Sequence, residues 1–243
     1  MEKRRSEILY VDHKFCPGCG HGIVNRLVAE VLEEMGEDKG ALCAVAVGCS
    51  SMMPDTYGVD IIQAQHGRAA AVAVGVKHCR PDNMVFAYQG DGDALAIGFS
   101  ETMYAAIRNE NITVILINNN NFGMTGGQMS PTTLEHQRTT TSPYGRDTSL
   151  TGKPLDVMKL METLDVAYLA RGTMTSNKEI MKTKKYLRKA FESQKNKKGY
   201  SLVEVLSPCP TNWGMTPLDS CTHINQVVQQ VYPLGEFKVG GGE

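Results

Sequence analysis

The sequence predicts an α/β fold in which an open, mostly parallel sheet carries helices on both faces. Short apolar runs alternate with longer stretches of helical periodicity along the 243 residues, and a strand, helix, strand alternation implies parallel pairing. The 24 glycines are about 10% of the chain, above the usual 7% or so, and several follow apolar runs. No internal repeat, low-complexity stretch or linker interrupts this pattern, so we expect a single domain over residues 1–243.

Helical spacing marks the first predicted element, residues 23–35, where apolar positions recur every three or four residues and Gly36 follows as a stop signal. Residues 41–47 are apolar throughout, too short for a helix and closed by Gly48, which is typical of a strand buried on both faces. Residues 67–78 are rich in alanine and valine, which favours a helix packed closely against the sheet.

The same alternation continues along the rest of the chain. The remaining predicted elements are strand 84–88, helix 98–108, strand 112–117, helix 155–164, strand 167–170, helix 178–193 and strand 201–206. Residues 138–154 are polar and contain two prolines, so we expect a long surface loop there, which is uncommon and often functional.

Composition and charge exclude several classes of protein. The chain is 42% hydrophobic and 21% charged, without an apolar run near the roughly 18 residues that a membrane helix needs. Lys and Arg number 25 against 26 Asp and Glu, for a net charge of -1, so the basic footprint of a nucleic-acid-binding protein is missing. Residues 1–10 lack the apolar segment of a signal peptide. We therefore expect a cytoplasmic protein that binds neither membranes nor nucleic acid.

Two polar motifs follow consecutive predicted strands. Residues 90–93 (GDGD) come directly after one strand, and the next ends at Asn118, 26 residues after Gly92, in the run 118–121 (NNNN). Ligands bind at the carboxyl ends of strands in open parallel sheets, and Mg²⁺ prefers oxygen ligands; Asp91 offers a carboxylate and an asparagine offers an amide oxygen. Each motif alone is better explained as an ordinary turn, but together they predict a site for Mg²⁺ and a diphosphate.

The seven cysteines are not expected to form a disulfide framework in the cytoplasm. Cys16 and Cys19 form a C-x2-C pair, whose spacing fits a zinc site, a redox dithiol or an iron–sulfur site. Cys49 and Cys209 also lie beyond predicted strand ends and are candidates to complete a four-thiolate site. The other three are expected to be small core residues: Cys43, Cys79 and Cys221.

Two histidines flank this predicted site. His21 follows the cysteine pair, and His66 opens the alanine-rich helix, where it is as well placed to contact a diphosphate as to be structural. Arg68, two residues further along, is as well placed to donate to a diphosphate as to be a solvated helix residue.

Six segments together resemble the beta, thiamine-diphosphate-binding subunit of the 2-oxoacid:ferredoxin oxidoreductases, over nearly the whole chain. They are residues 15–21 (FCPGCGH), 48–51 (GCSS), 66–69 (HGRA), 88–93 (YQGDGD), 123–128 (GMTGGQ) and 206–210 (LSPCP). The resemblance is greatest to the 2-oxoisovalerate (branched-chain) enzymes, in residues 126–133, 139–146, 213–215 and 232–235.

This resemblance implies the pyrophosphate-domain fold and two cofactor sites. Asp91, the side chain of Asn119 and the main-chain carbonyl of Asn121 would ligate Mg²⁺. The expected contacts of thiamine diphosphate are Ser50, Ser51, His66, Gly90, Asp91, Gly92, Asp93, Asn119, Asn121, Gly123, Met124 and Thr125. The expected ligands of a [4Fe-4S] cluster are Cys16, Cys19, Cys49 and Cys209. Relatives usually carry apolar residues where this chain has Asn120 and Asn121, but any residue supplies a backbone carbonyl.

The resemblance also implies a reaction and partners. The enzyme would oxidatively decarboxylate a 2-oxoacid to an acyl-CoA and CO₂ and pass the electrons to ferredoxin. The carboxylate that activates thiamine belongs to the alpha subunit in this family, so this chain would contain no catalytic residue of its own and would be inactive without the alpha subunit, with gamma and delta subunits also expected.

The expected substrate is 3-methyl-2-oxobutanoate. Residues 50–67 contain no Lys or Arg to meet a second carboxylate, and Met52, Met53 and Met124 adjoin the site loops as candidates to line an adaptable apolar pocket. Alternatives are 2-oxoglutarate or pyruvate as substrate, an iron-free thiamine decarboxylase, and a non-catalytic metal or electron-transfer module.

Overall fold

The protein is described by a computed structural model that covers residues 6–10 and 12–240. Its strands are β1 (Leu42–Val45), β2 (Asp60–Gln63), β3 (Val85–Gly90), β4 (Thr113–Asn118), β5 (Tyr168–Thr173), β6 (Ser201–Leu206) and β7 (Gly235–Val239). They form one sheet in the order β2-β1-β3-β4-β6-β5-β7. Every neighbouring pair is parallel except β5 and β7, which confirms the predicted mostly parallel sheet.

The predicted helices are present with small shifts at their ends. The helices are α1 (His21–Met35), α2 (Ala69–Cys79), α3 (Phe99–Ile107), α4 (Thr148–Thr151), α5 (Val157–Met161), α6 (Asn177–Lys195), α7 (Pro210–Trp213), α8 (Pro217–His223) and α9 (Gln229–Val231). A 3-10 turn covers Cys49–Met52, and π-helical turns cover Asp93–Ile97 and Ile224–Val228. Gly36 ends α1 in the left-handed conformation (φ 70°), as its stop signal predicts.

Helices cover both faces of the sheet because successive side chains of a strand point to opposite sides. On one face, Leu27 of α1 and Phe191 of α6 belong to a core that includes Phe86 of β3. On the other, the small residues of α2, such as Ala73, pack with Ala87, the next residue of that strand. The central strands are buried along their whole length, as continuous apolar runs predict.

Several expectations differ from the structure. The edge strands β2 and β7 and the short helices α7 to α9 were not predicted, and α4 interrupts the predicted loop 138–154. Cys79 is exposed and Cys221 half-buried, so neither is the core residue expected, whereas Cys43 is buried in β1. Cys79 is the last residue of α2 and Cys221 lies in the short helix α8, and neither belongs to a hydrophobic core cluster. No helix in the described ranges is long and apolar enough to span a membrane, and the predicted lack of a signal peptide falls partly on residues 1–5, outside the described residues.

Candidate active site

The carboxyl ends of four neighbouring strands bring the predicted site together. β1, β3, β4 and β6 are consecutive in the sheet, and they are followed by Cys49, the GDGD turn, the asparagine run and Cys209, respectively. Above these ends lies an open cleft. It is lined by His21, Val47, Gly48, Cys49, Ser50, His66, Gly90, Asp91, Gly92, Asp93, Asn119, Asn121, Phe122, Gly123, Met124 and Thr125.

Eleven of the twelve residues predicted to contact thiamine diphosphate line this cleft. The exception is Ser51, whose hydroxyl donates to the Gly48 carbonyl at 2.7 Å. That bond closes the 3-10 turn after β1, so the Ser51 side chain serves its own turn rather than the cleft wall.

Asp91 is buried at the floor of the cleft and is held by two hydroxyl groups. Its Oδ2 accepts from Ser130 Oγ at 2.7 Å and from Thr132 Oγ1. Burial raises the pKa of Asp91 to about 6, while the hydrogen bonds from Thr132 and Ser130 act in the opposite direction. A buried carboxylate whose remaining oxygen faces the cleft floor is suited to a cation, because a cation would stabilise the ionised form.

Two groups from the asparagine run lie beside Asp91. One terminal atom of the Asn119 side-chain amide lies 3.0 Å from Asp91 Oδ1 and 2.7 Å from the carbonyl oxygen of Asn121. Both neighbours are hydrogen-bond acceptors, so the amide would hydrogen-bond to them only with its NH₂ group turned toward them. These two distances fit magnesium. Neighbouring oxygen ligands of an octahedral Mg²⁺ lie roughly 2.9 Å apart, because each Mg–O bond is about 2.0–2.1 Å long.

The asparagine turn, residues 118–121, presents these groups. Asn120 adopts the left-handed conformation (φ 56°), which asparagine tolerates better than most residues. The Asn118 side chain stabilises this conformation, because its Oδ1 accepts from the Asn120 backbone N–H at 3.1 Å. Thr133 Oγ1 donates to the Asn120 carbonyl at 2.6 Å, so the turn is fixed from both sides.

A buried ion-pair network lies beneath the asparagine turn. Glu204 of β6 accepts from Asn118 Nδ2 at 2.7 Å and from Arg171 Nε at 2.6 Å. Arg171 is fully buried and also donates to Asp156 at 2.5 Å, and its guanidinium lies over the ring of Tyr232 at 5.1 Å from the centroid. This network joins β5 and β6 to the end of β4.

Asp93, the second carboxylate of the GDGD turn, is fully engaged. It accepts from the Gly67 backbone N–H at 2.6 Å, from Gln89 Nε2 at 2.6 Å and from His66 Nδ1. His66 therefore lines the cleft with its ring orientation fixed by Asp93. Arg68 instead pairs with Glu101 at 2.5 Å on the surface, away from the cleft lining.

His21 lines the cleft between the cysteines and the GDGD turn. Its Nδ1 lies 2.9 Å from the Tyr88 hydroxyl, and its ring stacks on Phe15 with centroids 4.9 Å apart. Burial lowers the pKa of His21 to about 4, so the imidazole is neutral at physiological pH. Sequence reasoning left its role open, and the structure makes it part of the cleft wall.

Two close approaches shape the cleft. A side chain on Gly92 would meet the Phe122 ring, since a Cβ there would lie 2.5 Å from a ring carbon. A Cβ on Gly123 would lie 3.2 Å from both Asn119 Nδ2 and Cys49 Sγ. Gly123 therefore lies in contact with both predicted halves of the site.

The four predicted cluster cysteines lie near one another. The thiols of Cys19 and Cys49 are close enough to other cysteines of the set for the negative charges of ionised thiolates to repel one another. Burial is the larger effect, and it raises the pKa of Cys19 to about 11 and that of Cys49 to about 12. Burial also raises the pKa of Cys209, whereas Cys16 is exposed. Only Cys49 reaches the cleft lining. No set of three or more His, Cys, Asp or Glu side chains between residues 6 and 240, apart from masked residue 11, is grouped closely enough to hold a metal ion.

The methionine expectation is correct at one position of three. Met124 lines the cleft and is 46% exposed. Met53 is fully buried in the core on the α1 side of the sheet, and Met52 does not line the cleft. The 3-10 turn after Cys49 directs Met53 into the protein, which sequence adjacency to a site loop did not reveal.

Sequence reasoning missed the residues that support the ligands. These are Ser130, Thr132, Arg171, Glu204 and Asn212. They lie in distant segments, and no spacing rule connects them with Asp91 or the asparagine turn. The resemblance drew attention to the segment that contains Ser130 and Thr132, which was the one available signal.

Comparison with known proteins agrees with this arrangement. Residues 46–205 match the family of thiamine pyrophosphate enzymes described as the C-terminal TPP binding domain. The ketoisovalerate oxidoreductase subunit VorA of Methanothermobacter thermautotrophicus is 38% identical over 225 residues, which are 92% of this chain and 47% of VorA. The 2-oxoglutarate synthase subunit KorB of Methanocaldococcus jannaschii is 38% identical over 203 residues, 83% of this chain and 71% of KorB.

A solved structure is also similar. It is the 2-oxoglutarate:ferredoxin oxidoreductase from Magnetococcus marinus with 2-oxoglutarate, coenzyme A and succinyl-CoA bound, with a TM-score of 0.75 and 31% identity over 87% of this chain and 70% of that chain. The present chain spans about half the length of VorA. By its matched domain and its relatives, the chain belongs to the thiamine pyrophosphate enzymes and, within them, to the beta subunits of the 2-oxoacid:ferredoxin oxidoreductases.

Proposed function

We propose that this chain holds thiamine diphosphate and Mg²⁺ in an enzyme that oxidatively decarboxylates a 2-oxoacid to an acyl-CoA and CO₂. The observation that carries the proposal is the convergence of Asp91 Oδ1 and the Asn121 carbonyl oxygen on the Asn119 side-chain amide, at 3.0 Å and 2.7 Å. With Mg²⁺ among them, the Asn119 amide would turn its oxygen inward, and all three would be ligands. Bound thiamine diphosphate would supply the nucleophile and electron sink for decarboxylation.

In the proposed reaction, the residues of this chain bind the cofactor and orient it. The turn 90–93 and the glycines from Gly123 onward allow a diphosphate to approach the backbone closely. Within residues 6–10 and 12–240, the carboxylates in the cleft lining are those of Asp91 and Asp93, and both are engaged by hydroxyl, amide or imidazole donors. Neither is free to activate the cofactor, which supports an activating carboxylate from an alpha subunit and a chain that is inactive alone.

The four cysteines are proposed to ligate a [4Fe-4S] cluster. Their chemistry fits, since clusters of this type are held by four thiolates, and the burial-raised pKa values of Cys19 and Cys49 mean that metal binding would displace protons from them. The site is supported by the proximity of Cys16, Cys19, Cys49 and Cys209 to one another. Their thiols do not form a preformed cage. Electrons would leave through the cluster to ferredoxin, with gamma and delta subunits completing the proposed enzyme in the cytoplasm.

We propose 3-methyl-2-oxobutanoate as the preferred substrate. Among the residues that the structure describes, no Lys or Arg lines the cleft, and Val47, Phe122 and Met124 give it an apolar wall. A second carboxylate, as in 2-oxoglutarate, requires a cationic partner, whereas a branched aliphatic chain requires apolar surface. The similarity to VorA supports this choice, and the similarity to KorB makes 2-oxoglutarate the alternative.

The test uses the chain co-expressed with its partner subunits and purified anaerobically. We expect acyl-CoA formation and ferredoxin reduction, fastest with 3-methyl-2-oxobutanoate in a comparison with 2-oxoglutarate and pyruvate. Asp91→Ala should abolish Mg²⁺-dependent thiamine diphosphate binding, while Asp55→Ala, at an exposed ion pair with Lys14, should not. Retained binding in Asp91→Ala would refute the Mg²⁺ assignment, and a colourless enzyme containing zinc would refute the cluster.

A further inference from the structure

The short helix α7 lies between the two halves of the site. Two consecutive residues of α7 donate to the loop that follows β4: Asn212 Nδ2 to the Gly123 carbonyl at 2.9 Å, and Trp213 Nε1 to the Asn119 carbonyl at 3.1 Å. The residue that precedes α7 is Cys209. The helix therefore fixes the position of a proposed cluster ligand relative to the loop that carries the proposed Mg²⁺ ligands.

Asn212 contacts both halves through one amide group. The Nδ2 atom that donates to Gly123 lies 3.5 Å from Cys209 Sγ and 3.4 Å from Asn121 Oδ1. This sulfur is buried, so the Asn212 amide approaches it away from bulk water.

Amide donors at a ligating sulfur influence the electron affinity of the cluster that the sulfur ligates. One-electron reduction adds a negative charge to a cluster and its thiolates, and N–H dipoles directed at a sulfur stabilise the more negative state. Hydrogen bonds of this kind act like other outer-shell contacts that tune a metal through its ligands. Here the donor belongs to α7, and the same amide group also donates to the loop that forms the cleft.

We propose that Asn212 is a positioning residue that raises the reduction potential of the cluster through Cys209. The inference rests on the proposed function, since it requires the cluster. It adds a residue outside the four cysteines and assigns it a property that can be measured separately from turnover.

The test is an anaerobic redox titration of the assembled enzyme, followed by electron paramagnetic resonance, on wild type and three variants. Asn212→Leu removes the donor, and Asn212→Asp keeps the size but replaces an N–H donor by a carboxylate. Asn225→Leu is the control, because Asn225 is exposed and its side chain accepts from Gln229 rather than contacting Cys209. Iron content and melting temperature are measured on each. We expect full iron content and a more negative potential in both Asn212 variants, with the larger shift in Asn212→Asp, and no shift in Asn225→Leu.

Two outcomes separate this inference from the proposed function. Wild-type enzyme without iron and sulfide overturns the cluster and the inference together. A wild-type cluster whose potential is unchanged in Asn212→Leu and Asn212→Asp overturns the inference alone. Loss of the cluster in every Asn212 variant also overturns it, because Asn212 would then hold the cluster together rather than tune its potential.

Discussion

Asn118 donates its side-chain amide to Glu204 over 2.7 Å, and this bond fastens the asparagine turn to the buried ion pair between Glu204 and Arg171. Both charged side chains are almost completely buried. The turn that presents Asn119 and Asn121 therefore rests on charges that water does not screen.

Glu204→Ala should strongly destabilise the protein. The substitution leaves Arg171 buried with Asp156 as its remaining carboxylate, and breaking a buried pair typically costs about 3–5 kcal/mol. Urea denaturation measures the free energy of unfolding. Glu34→Ala, which removes a half-exposed partner of Lys184 and Arg188, is the control and should cost about 1 kcal/mol or less. Equal losses in the two variants would show that the Glu204 network does not stabilise the fold.

Thr132→Val should weaken Mg²⁺-dependent cofactor binding. Valine preserves the shape of the side chain but removes a hydroxyl that donates to Asp91, and loss of a supporting hydrogen bond typically costs about 10- to 100-fold in metal affinity. Calorimetric titration of Mg²⁺ in the presence of thiamine diphosphate measures this change. Thr102→Val is the matched control, because the Thr102 hydroxyl is buried without a hydrogen-bond partner. Unchanged affinity in Thr132→Val would contradict the role of Asp91 as a ligand.

The main elements and the cleft followed from the sequence because their signals are local. The apolar runs of β3 and β4 place residues 90–93 and 118–121 at neighbouring strand ends, and parallel pairing then brings them together. In contrast, β2 has only Ile61 and Ile62 between polar residues, too short a pattern for periodicity to reveal. Its strand conformation depends on pairing with β1.

The supporting residues could not be predicted because their partners are distant in sequence. Ser130 reaches Asp91 across 39 positions, and Arg171 meets Glu204 across 33. These contacts depend on the path of the chain between the elements. Arg146 illustrates this in the predicted surface loop: it is buried and donates to backbone carbonyls, including those of Pro131 and Thr133.

Gly123→Ala should impair both halves of the site together. A Cβ there would lie 3.2 Å from Asn119 Nδ2 and from Cys49 Sγ, a tight approach that must displace one or both. We expect reduced thiamine diphosphate affinity and reduced iron content in the same preparation. Gly75→Ala in α2, where a Cβ meets no atom within 4 Å, should leave both properties unchanged and gain roughly 0.5–1 kcal/mol of stability. A Gly123→Ala protein with normal values of both would contradict the proximity of the two halves.

Cys209→Ala should remove most of the visible absorbance of anaerobically purified protein. A cluster held by thiolates loses a ligand, whereas Cys79→Ala changes an exposed thiol on α2 and should preserve the spectrum. Iron and acid-labile sulfide assays accompany the spectra. If the two variants retained equal iron, Cys209 would not be a ligand.

Calorimetric titration of thiamine diphosphate into the assembled enzyme, with and without Mg²⁺, tests the central claim most directly. With Asp91, Asn119 and the Asn121 carbonyl as the magnesium ligands, we predict one cofactor per chain in the presence of Mg²⁺, no binding when chelator removes the cation, and no binding to Asp91→Ala under either condition. Binding that is equally tight without Mg²⁺, or that survives in Asp91→Ala, would contradict the account.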